Sequence, residues 1–472
     1  VAKLTPGIVS PPHEVLAPEE WRRLGRARRK IVRRSSHAEW NPPPSRPDPV
    51  AILQEQAATR VPEIVGIRHT RMAESQFPYF RGAAAPMAWD LDHTPTTDIR
   101  VQACGDAHLL NFGLFAAPDR RLVFDVNDFD ETLPASFEWD LKRLAASVVV
   151  AARDHGFADS RGRAAARGSA RAYRTQMQRF ADMTFMDVWY SRIDVEGLVR
   201  IYDAVESEAD VRQRHRLIEK AKRRTSVAAL AKLCQQVDGE YQIQSAPPLI
   251  VRVPVEEHSD MREVLREAMA SYEQTLPVEL REVVNRHWFA DFARKVVGVG
   301  SVGTEAFVLL LMGDTRGSPL FLQIKEAQQS VLAPYAGASI YEHQGERVVA
   351  GQRLTQAAGD PFLGWTTAVG SDGTTPKQYY VRQLRDMKGD MDIPGMKPRQ
   401  LERYAALCGW ALARAHARTG RAPMIAGYLG KSDRFDRAIE SFSLAYADQN
   451  ENDHDRVARA VADGALPSVA DD

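Results

Sequence analysis

The chain has little cysteine, no net charge and no long apolar run. Three cysteines, Cys104, Cys234 and Cys408, in 472 residues are too few and too widely spaced for a disulfide framework or a thiolate zinc site. That usage fits a reduced, cytoplasmic setting. Lys plus Arg and Asp plus Glu both number 62, so the basic surplus that wrapping nucleic acid requires is missing. No apolar run approaches the roughly 18 residues of a membrane span, and the first residues lack the basic-then-apolar layout of an export signal. At 44% hydrophobic and 26% charged residues the composition is that of a globular protein. Its length allows two or three domains of about 100–200 residues each.

The arginine-dense stretch 16–40 reads as a helix with a solvated face, and the proline-rich residues 41–49 as a loop. Residues 71–91 read as a packed turn. Residues 101–115 and 120–132 read as strand-and-loop material, with a turn at Ala117, Pro118 and Asp119. After Asp140, the apolar positions 141, 144, 145, 148, 149 and 152 recur at helical spacing and predict a buried helix. Residues 159–235 read as helical. Residues 240–256 turn to β-branched residues and proline, 259–294 to helices, and 295–325 to loop, strand, turn and strand. A strand at 377–385 and helices at 399–418 and 432–464 complete the chain. The expected organisation is an N-terminal helical extension (1–65), a catalytic-loop and metal-site part of a larger helical lobe (66–255), a smaller β-rich nucleotide-binding lobe (256–390) and C-terminal helices that return to the larger lobe (391–472).

Gly105-Asp106-Ala107-His108-Leu109-Leu110-Asn111 puts a carboxylate and an amide five residues apart on a loop. Phosphoryl transfer uses such a pair: the Asp takes or orients the proton of an attacking hydroxyl, and the Asn oxygen holds a Mg²⁺ bound to nucleotide phosphates. A loop-capping Asp and a hydrogen-bonded Asn give the same pattern. His108 stands beside Asp106 as a general base or metal ligand or, with no second His at ligand spacing, a brace of the loop. The acidic run Asp125-Val126-Asn127-Asp128-Phe129-Asp130-Glu131 needs a cation among its carboxylates, and Mg²⁺ suits it because one or two carboxylates suffice beside substrate phosphates. A structural calcium loop is the competing reading, without the EF-hand spacing. Gly298, Gly300, Ser301 and Gly303 form a G-x-G-x-x-G stretch that precedes a strand, where a dinucleotide-binding fold needs a helix. A glycine loop, a strand and then a strand ending in Lys325 is the arrangement by which kinases cover ATP and present a Lys to its phosphates. Glu346, Glu342 and, less favourably, Glu326 are the carboxylates available to steady that Lys.

The motifs CGDAHLLNFG, FDVNDFDET, WDLKRLAAS, RMAESQFPYFRG, GVGSVGTEAF, IKEA, GERVVAGQRLTQAA and YYVRQLRD together resemble the bacterial family known as domain of unknown function 2252. The GDAHLLN loop also resembles that of aminoglycoside and choline kinase-like phosphotransferases, with Cys104 where those enzymes carry a His. This resemblance implies that Asp106 is the catalytic Asp, Asn111 a metal ligand, Asp128 the metal-binding Asp with Asp125 as competitor, and Asp140 a brace of the catalytic loop. In kinase-like enzymes the glycine loop precedes the catalytic loop, whereas here it follows. The helix 401–416, ending in Ala-x-x-His, is of the kind that runs directly into such a loop. The resemblance therefore implies an α+β, two-lobed protein kinase-like fold, circularly permuted, that uses ATP and Mg²⁺ on a hydroxyl of a small molecule or protein. A nucleotide-binding pseudokinase that regulates a partner and a metal-dependent hydrolase are the alternatives. Neither a membrane nor a nucleic-acid partner is expected.

Overall fold

A computed structural model describes residues 16–469 apart from 204–206, 254–258, 297, 299, 301, 316, 385–386 and 390. Ser301 thus lies outside the described residues. The fold is mixed α+β, with a helical body and a six-stranded antiparallel sheet. Among the described residues no helix is long and apolar enough to cross a membrane.

The body is centred on three helices. Phe137–Asp154 is buried along nearly its whole length. Its charged residues are each partnered: Glu138 accepts from the Thr97 hydroxyl at 2.8 Å, and Lys142 donates to Thr94 at 2.7 Å. Asp159–Phe180 packs on Pro398–Thr419, with Ser169 at the contact. The approach is close enough that a β-carbon on Gly409 would meet the Ser169 carbonyl at 2.2 Å. Small side chains allow this packing. Leu401, Ala405, Leu412 and Ala415 are buried. The helix lies mainly on Asp159–Phe180 and only in part on Phe137–Asp154.

The sheet runs in the order Gly364–Val369, Pro376–Gln383, Pro319–Glu326, Ala306–Gly313, His287–Lys295, Ile250–Arg252. Alternation along Pro319–Glu326 decides what each residue does. Leu320, Leu322 and Ile324 pack with Tyr272 and Leu276, from the segment that covers one face. Gln323 and Lys325 point the other way, into a cavity between sheet and body. The helix Gln344–Thr355 packs on Pro376–Gln383 and also touches Pro398–Thr419, so it ties sheet to body.

Two expectations fail here. Residues 71–91 are largely helical, as Gln76–Gly82 and Ala84–Asp92, because Pro78 and Pro86 sit in first turns, where proline removes no intrahelical hydrogen bond. Residues 287–295 form a strand, not the end of a helix. Its register pairs Trp288 with Met312 and Phe292 with Leu309.

Candidate functional site

The loop between the strands Arg100–Ala103 and Phe112–Ala116 is held from behind. Gly105 adopts φ 85°, and a β-carbon there would lie 2.2 Å from the Glu131 carbonyl, so only glycine fits. Asp140 accepts from the N–H groups of Cys104 (2.8 Å) and Gly105 (3.0 Å), and His416 Nε2 lies 3.1 Å from the same carboxylate. The Tyr173 hydroxyl is 2.9 Å from His416 Nδ1. This buried chain fixes the loop backbone and thereby the side chains that follow.

Asp106 Oδ1 accepts from Arg143 Nε at 2.6 Å. Arg143 is buried over the Phe80 ring and also donates to the Phe80 carbonyl. The other oxygen, Oδ2, lies 3.8 Å from His108 Nε2. Burial pushes the His108 imidazole down to about 3, so at neutral pH it is uncharged. Its Nδ1 accepts from Leu110 N–H at 3.2 Å, which makes it a brace within the loop as well as a neighbour of Asp106. Asn111 Nδ2 donates to the Asp106 carbonyl at 2.6 Å, leaving Oδ1 without a protein donor among the described residues.

The acidic run separates into two groups. Asp125 is a structural residue rather than the competing metal ligand that the resemblance implies. Both its oxygens accept from Arg414 Nη2 at 2.6 Å, and both side chains are almost fully buried. A carboxylate committed to a buried guanidinium has no lone pairs facing a ligand. Asp128 and Asp130 instead line the cavity. Asp130 Oδ2 accepts from Lys325 Nζ at 2.6 Å and Oδ1 from the Tyr380 hydroxyl at 2.6 Å. Burial raises the Asp130 carboxyl, but the Lys325 ammonium and the Tyr380 hydroxyl outweigh it and hold the group well below the usual range. Burial and the neighbouring Asp130 charge push Asp128 up. Burial lifts Glu131 to about 7.

None of Glu346, Glu342 and Glu326 steadies Lys325; its partner is Asp130. Glu346 sits in the first turn of Gln344–Thr355, its N–H capped by His343 at 3.2 Å. The next residue, about 100° round the helix, faces the site. Arg347 donates to the carbonyls of Thr132 (2.7 Å), Asp130 (2.8 Å) and Gln328 (2.8 Å). Glu326 is taken by Lys377.

Gly298 and Gly300 also line the cavity. Arg60 donates to the carbonyls of Gly300 and Val302, Val61 N–H donates to the Gly303 carbonyl at 2.7 Å, and Gly303 has φ 97°. The cavity encloses about 690 Å³ and gathers Asp106, His108, Asn111, Asp128, Gly298, Gly300 and Lys325 from segments far apart in sequence. Ten Lys and Arg side chains and five carboxylates line it. That excess favours a polyanionic ligand, because a concave low-dielectric wall of one sign focuses its field.

Among the described residues no three His, Cys, Asp or Glu side chains cluster as a ready metal site. The donors present still fit Mg²⁺ bound to phosphates, which needs oxygen ligands and one or two carboxylates. Asp128 and Asn111 Oδ1 supply them, and a cation there would offset the burial and the neighbouring Asp130 charge that raise Asp128.

Sequence reading assigned no role to Tyr380, Arg382, Arg347 or the arginines of the N-terminal segment, Arg60, Arg68 and Arg81, and it left Asp130 without one although it lay in the acidic run. All but Tyr380 and Arg347 line the cavity. Arg81, Tyr380, Arg382 and Arg347 lie in stretches that the reading singled out as motifs.

A family model described as an uncharacterized protein conserved in bacteria, DUF2252, matches residues 60–460. Comparison with curated proteins and with solved structures gave no match. The matched span covers the catalytic-type loop, the acidic run, the glycine-rich stretch and Lys325 together, and the chain belongs to the DUF2252 family.

Proposed function

We propose that the protein is a phosphotransferase that moves the γ-phosphoryl group of ATP, with Mg²⁺, to a hydroxyl of a small molecule or protein, on a circularly permuted kinase-like fold. The observation that carries this reading is the basic cavity in which Asp106, Asn111 and Asp128 meet Gly298, Gly300 and Lys325. On this reading the sheet and its helices are the nucleotide-binding lobe and the helical body is the larger lobe. Permutation is supported at the junction it requires: Gln102 N–H donates to Thr419 Oγ1 at 3.0 Å. The helix that would precede the catalytic loop thus ends beside the strand that leads into it.

Arg143 fixes one oxygen of Asp106 and leaves the other for the acceptor hydroxyl. The acceptor oxygen bonds to the γ-phosphorus as the bond to the bridging oxygen breaks. The electron pair of that bond leaves with ADP, and the hydroxyl proton passes to Asp106. Lys325, oriented by Asp130, neutralises phosphate charge from the sheet side. Mg²⁺ held by Asp128 and Asn111 would supply further neutralisation of the phosphate oxygens.

The test is purified protein with labelled ATP and Mg²⁺, with and without cell extract, beside a melting scan with nucleotides. ATP at about 100 times its dissociation constant stabilises the fold by roughly 2.7 kcal/mol, enough to be seen. No melting shift with any nucleotide at millimolar concentration refutes the reading. Binding without transfer to any component of the extract would favour a pseudokinase.

A further inference from the structure

The cavity holds more positive charge than a nucleotide site needs, and part of it lies on one wall. That wall comes from the N-terminal segment: Arg60 before the helix Pro62–Ala73, Arg68 within it, and Arg81 in Gln76–Gly82. None of these three arginines makes an ion pair among the described residues, whereas Asp106, Asp130 and Glu326 are taken by Arg143, Lys325 and Lys377.

Arg68 is the most telling of the three. It is 1% exposed. One nitrogen, Nη2, donates to Gln56 Oε1 (2.9 Å) and to the Gly82 carbonyl (3.0 Å). Its Nε and Nη1 are buried without a partner, as are Nε of Arg60 and Nε of Arg81. Clustered, desolvated guanidiniums with unused donors are costly unless an anion completes them. Their planar forks match a phosphate.

The wall also borders the reaction centre. An Arg81 guanidinium nitrogen lies 3.9 Å from where a β-carbon on Gly298 would sit, and Arg81 lines the same cavity as Asp106. An anion on this wall therefore lies in the cavity that Asp106 also lines, within reach of the glycine-rich loop. Resting on the phosphotransferase reading, we propose that the acceptor is a phosphomonoester whose phosphate is seated by Arg60, Arg68 and Arg81 while its hydroxyl faces Asp106. The substrate class is then a phosphorylated alcohol that receives a second phosphoryl group.

The experiment titrates inorganic phosphate, by calorimetry in a phosphate-free buffer, into full-length protein saturated with Mg²⁺ and a non-hydrolysable ATP analogue. Saturable phosphate binding should persist beside the nucleotide. Arg81→Met should weaken it about tenfold or more, the loss expected for a charge-assisted contact, with nucleotide affinity changed less than about twofold. Arg68→Met should do the same. Should that buried substitution fail to fold, the half-buried Arg81 decides the matter, with melting curves to show that its variant is intact. Phosphate that binds only in competition with the nucleotide, or an Arg81→Met variant that loses both ligands equally, assigns the arginines to ATP and overturns the proposal while leaving the phosphotransferase reading in place. Failure to bind nucleotide at all removes that reading and this one with it.

Discussion

Lys325→Met is the most informative single change, because the ammonium is paired with Asp130 and is also the group that the proposed function turns toward the phosphates. Its Nζ lies 2.6 Å from Asp130 Oδ2, with the Lys side chain 3% and the Asp side chain 26% exposed. Removing one member of a buried ion pair costs about 3–5 kcal/mol, since the other charge is left desolvated. Two features move the expectation to the low end, about 3 kcal/mol. Asp130 keeps some access to water and its bond from the Tyr380 hydroxyl, and the nearby Arg382 also offsets its charge. At roughly 2–4 °C per kcal/mol for a unit of about 150–250 residues, the melting point should fall by roughly 6–12 °C. Lys325→Met combined with Asp130→Asn should recover most of that loss, because neither charge remains to be paired. Nucleotide binding should not recover, since on the proposed function Lys325 is the group that meets the phosphates. The assay is a four-member cycle of melting curves, each run with and without Mg²⁺ and ATP. If the two substitutions simply add in stability, the pair is not coupled and the site geometry is wrong. If the double variant binds ATP like the parent, Lys325 has no role toward the phosphates.

How much of this was legible in the sequence depended on how locally each feature is specified. Lys325 could be read because strand, turn and strand lie in one contiguous stretch, and period-two alternation then fixes which face it takes. The loop of Asp106 and Asn111 was legible for the same reason. The choice between Asp125 and Asp128 was not, since Asp125 is claimed by Arg414 and nothing near it in the chain announces that partner. Glu346 and Arg347 are adjacent, and which of them faces the site depends on how Gln344–Thr355 sits on the sheet. The strand His287–Lys295 directly follows the helix Val278–Asn285, so local pattern gave no boundary, and Trp288 and Phe289 are exposed rather than alternating cleanly into a core. The arginine wall was hidden because its members come from separate helices and a turn that only the tertiary fold brings together.

Asp106→Asn should abolish phosphoryl transfer while sparing nucleotide affinity, whereas Asp128→Asn should weaken Mg²⁺-dependent nucleotide binding itself; steady-state kinetics and calorimetry on both variants check the division. Asp125→Asn should destabilise the fold by about 3–5 kcal/mol in chemical denaturation and leave metal-dependent binding by the folded fraction unchanged, because Arg414 is its partner. Glu131 is raised from 4.5 to about 7 chiefly by burial, so its contribution to stability is fully present below pH 4.5 and lost as pH rises through 7. Melting curves of Glu131→Gln should therefore show a flatter pH profile over that window and a higher melting point than the parent at pH 8. The last prediction concerns the junction on which permutation rests. A β-carbon at position 420 would lie 2.7 Å from Cγ1 of Val101, close to the roughly 3 Å from one sulfur to the far β-carbon that an S–S bond of about 2.04 Å implies. Gly420 has φ −98°, which any residue adopts. Val101→Cys with Gly420→Cys should therefore close a disulfide under mild oxidation without backbone movement, and the native cysteines, all buried, should stay out of the exchange. Cross-linking so long a loop removes denatured-state entropy worth up to about 5 kcal/mol, so the oxidised variant should unfold at higher denaturant than its reduced form. Peptide mapping that finds both new thiols free after oxidation would mean that the end of Pro398–Thr419 does not meet the strand of Val101, and the hand-over from that helix to the catalytic loop would have no physical basis.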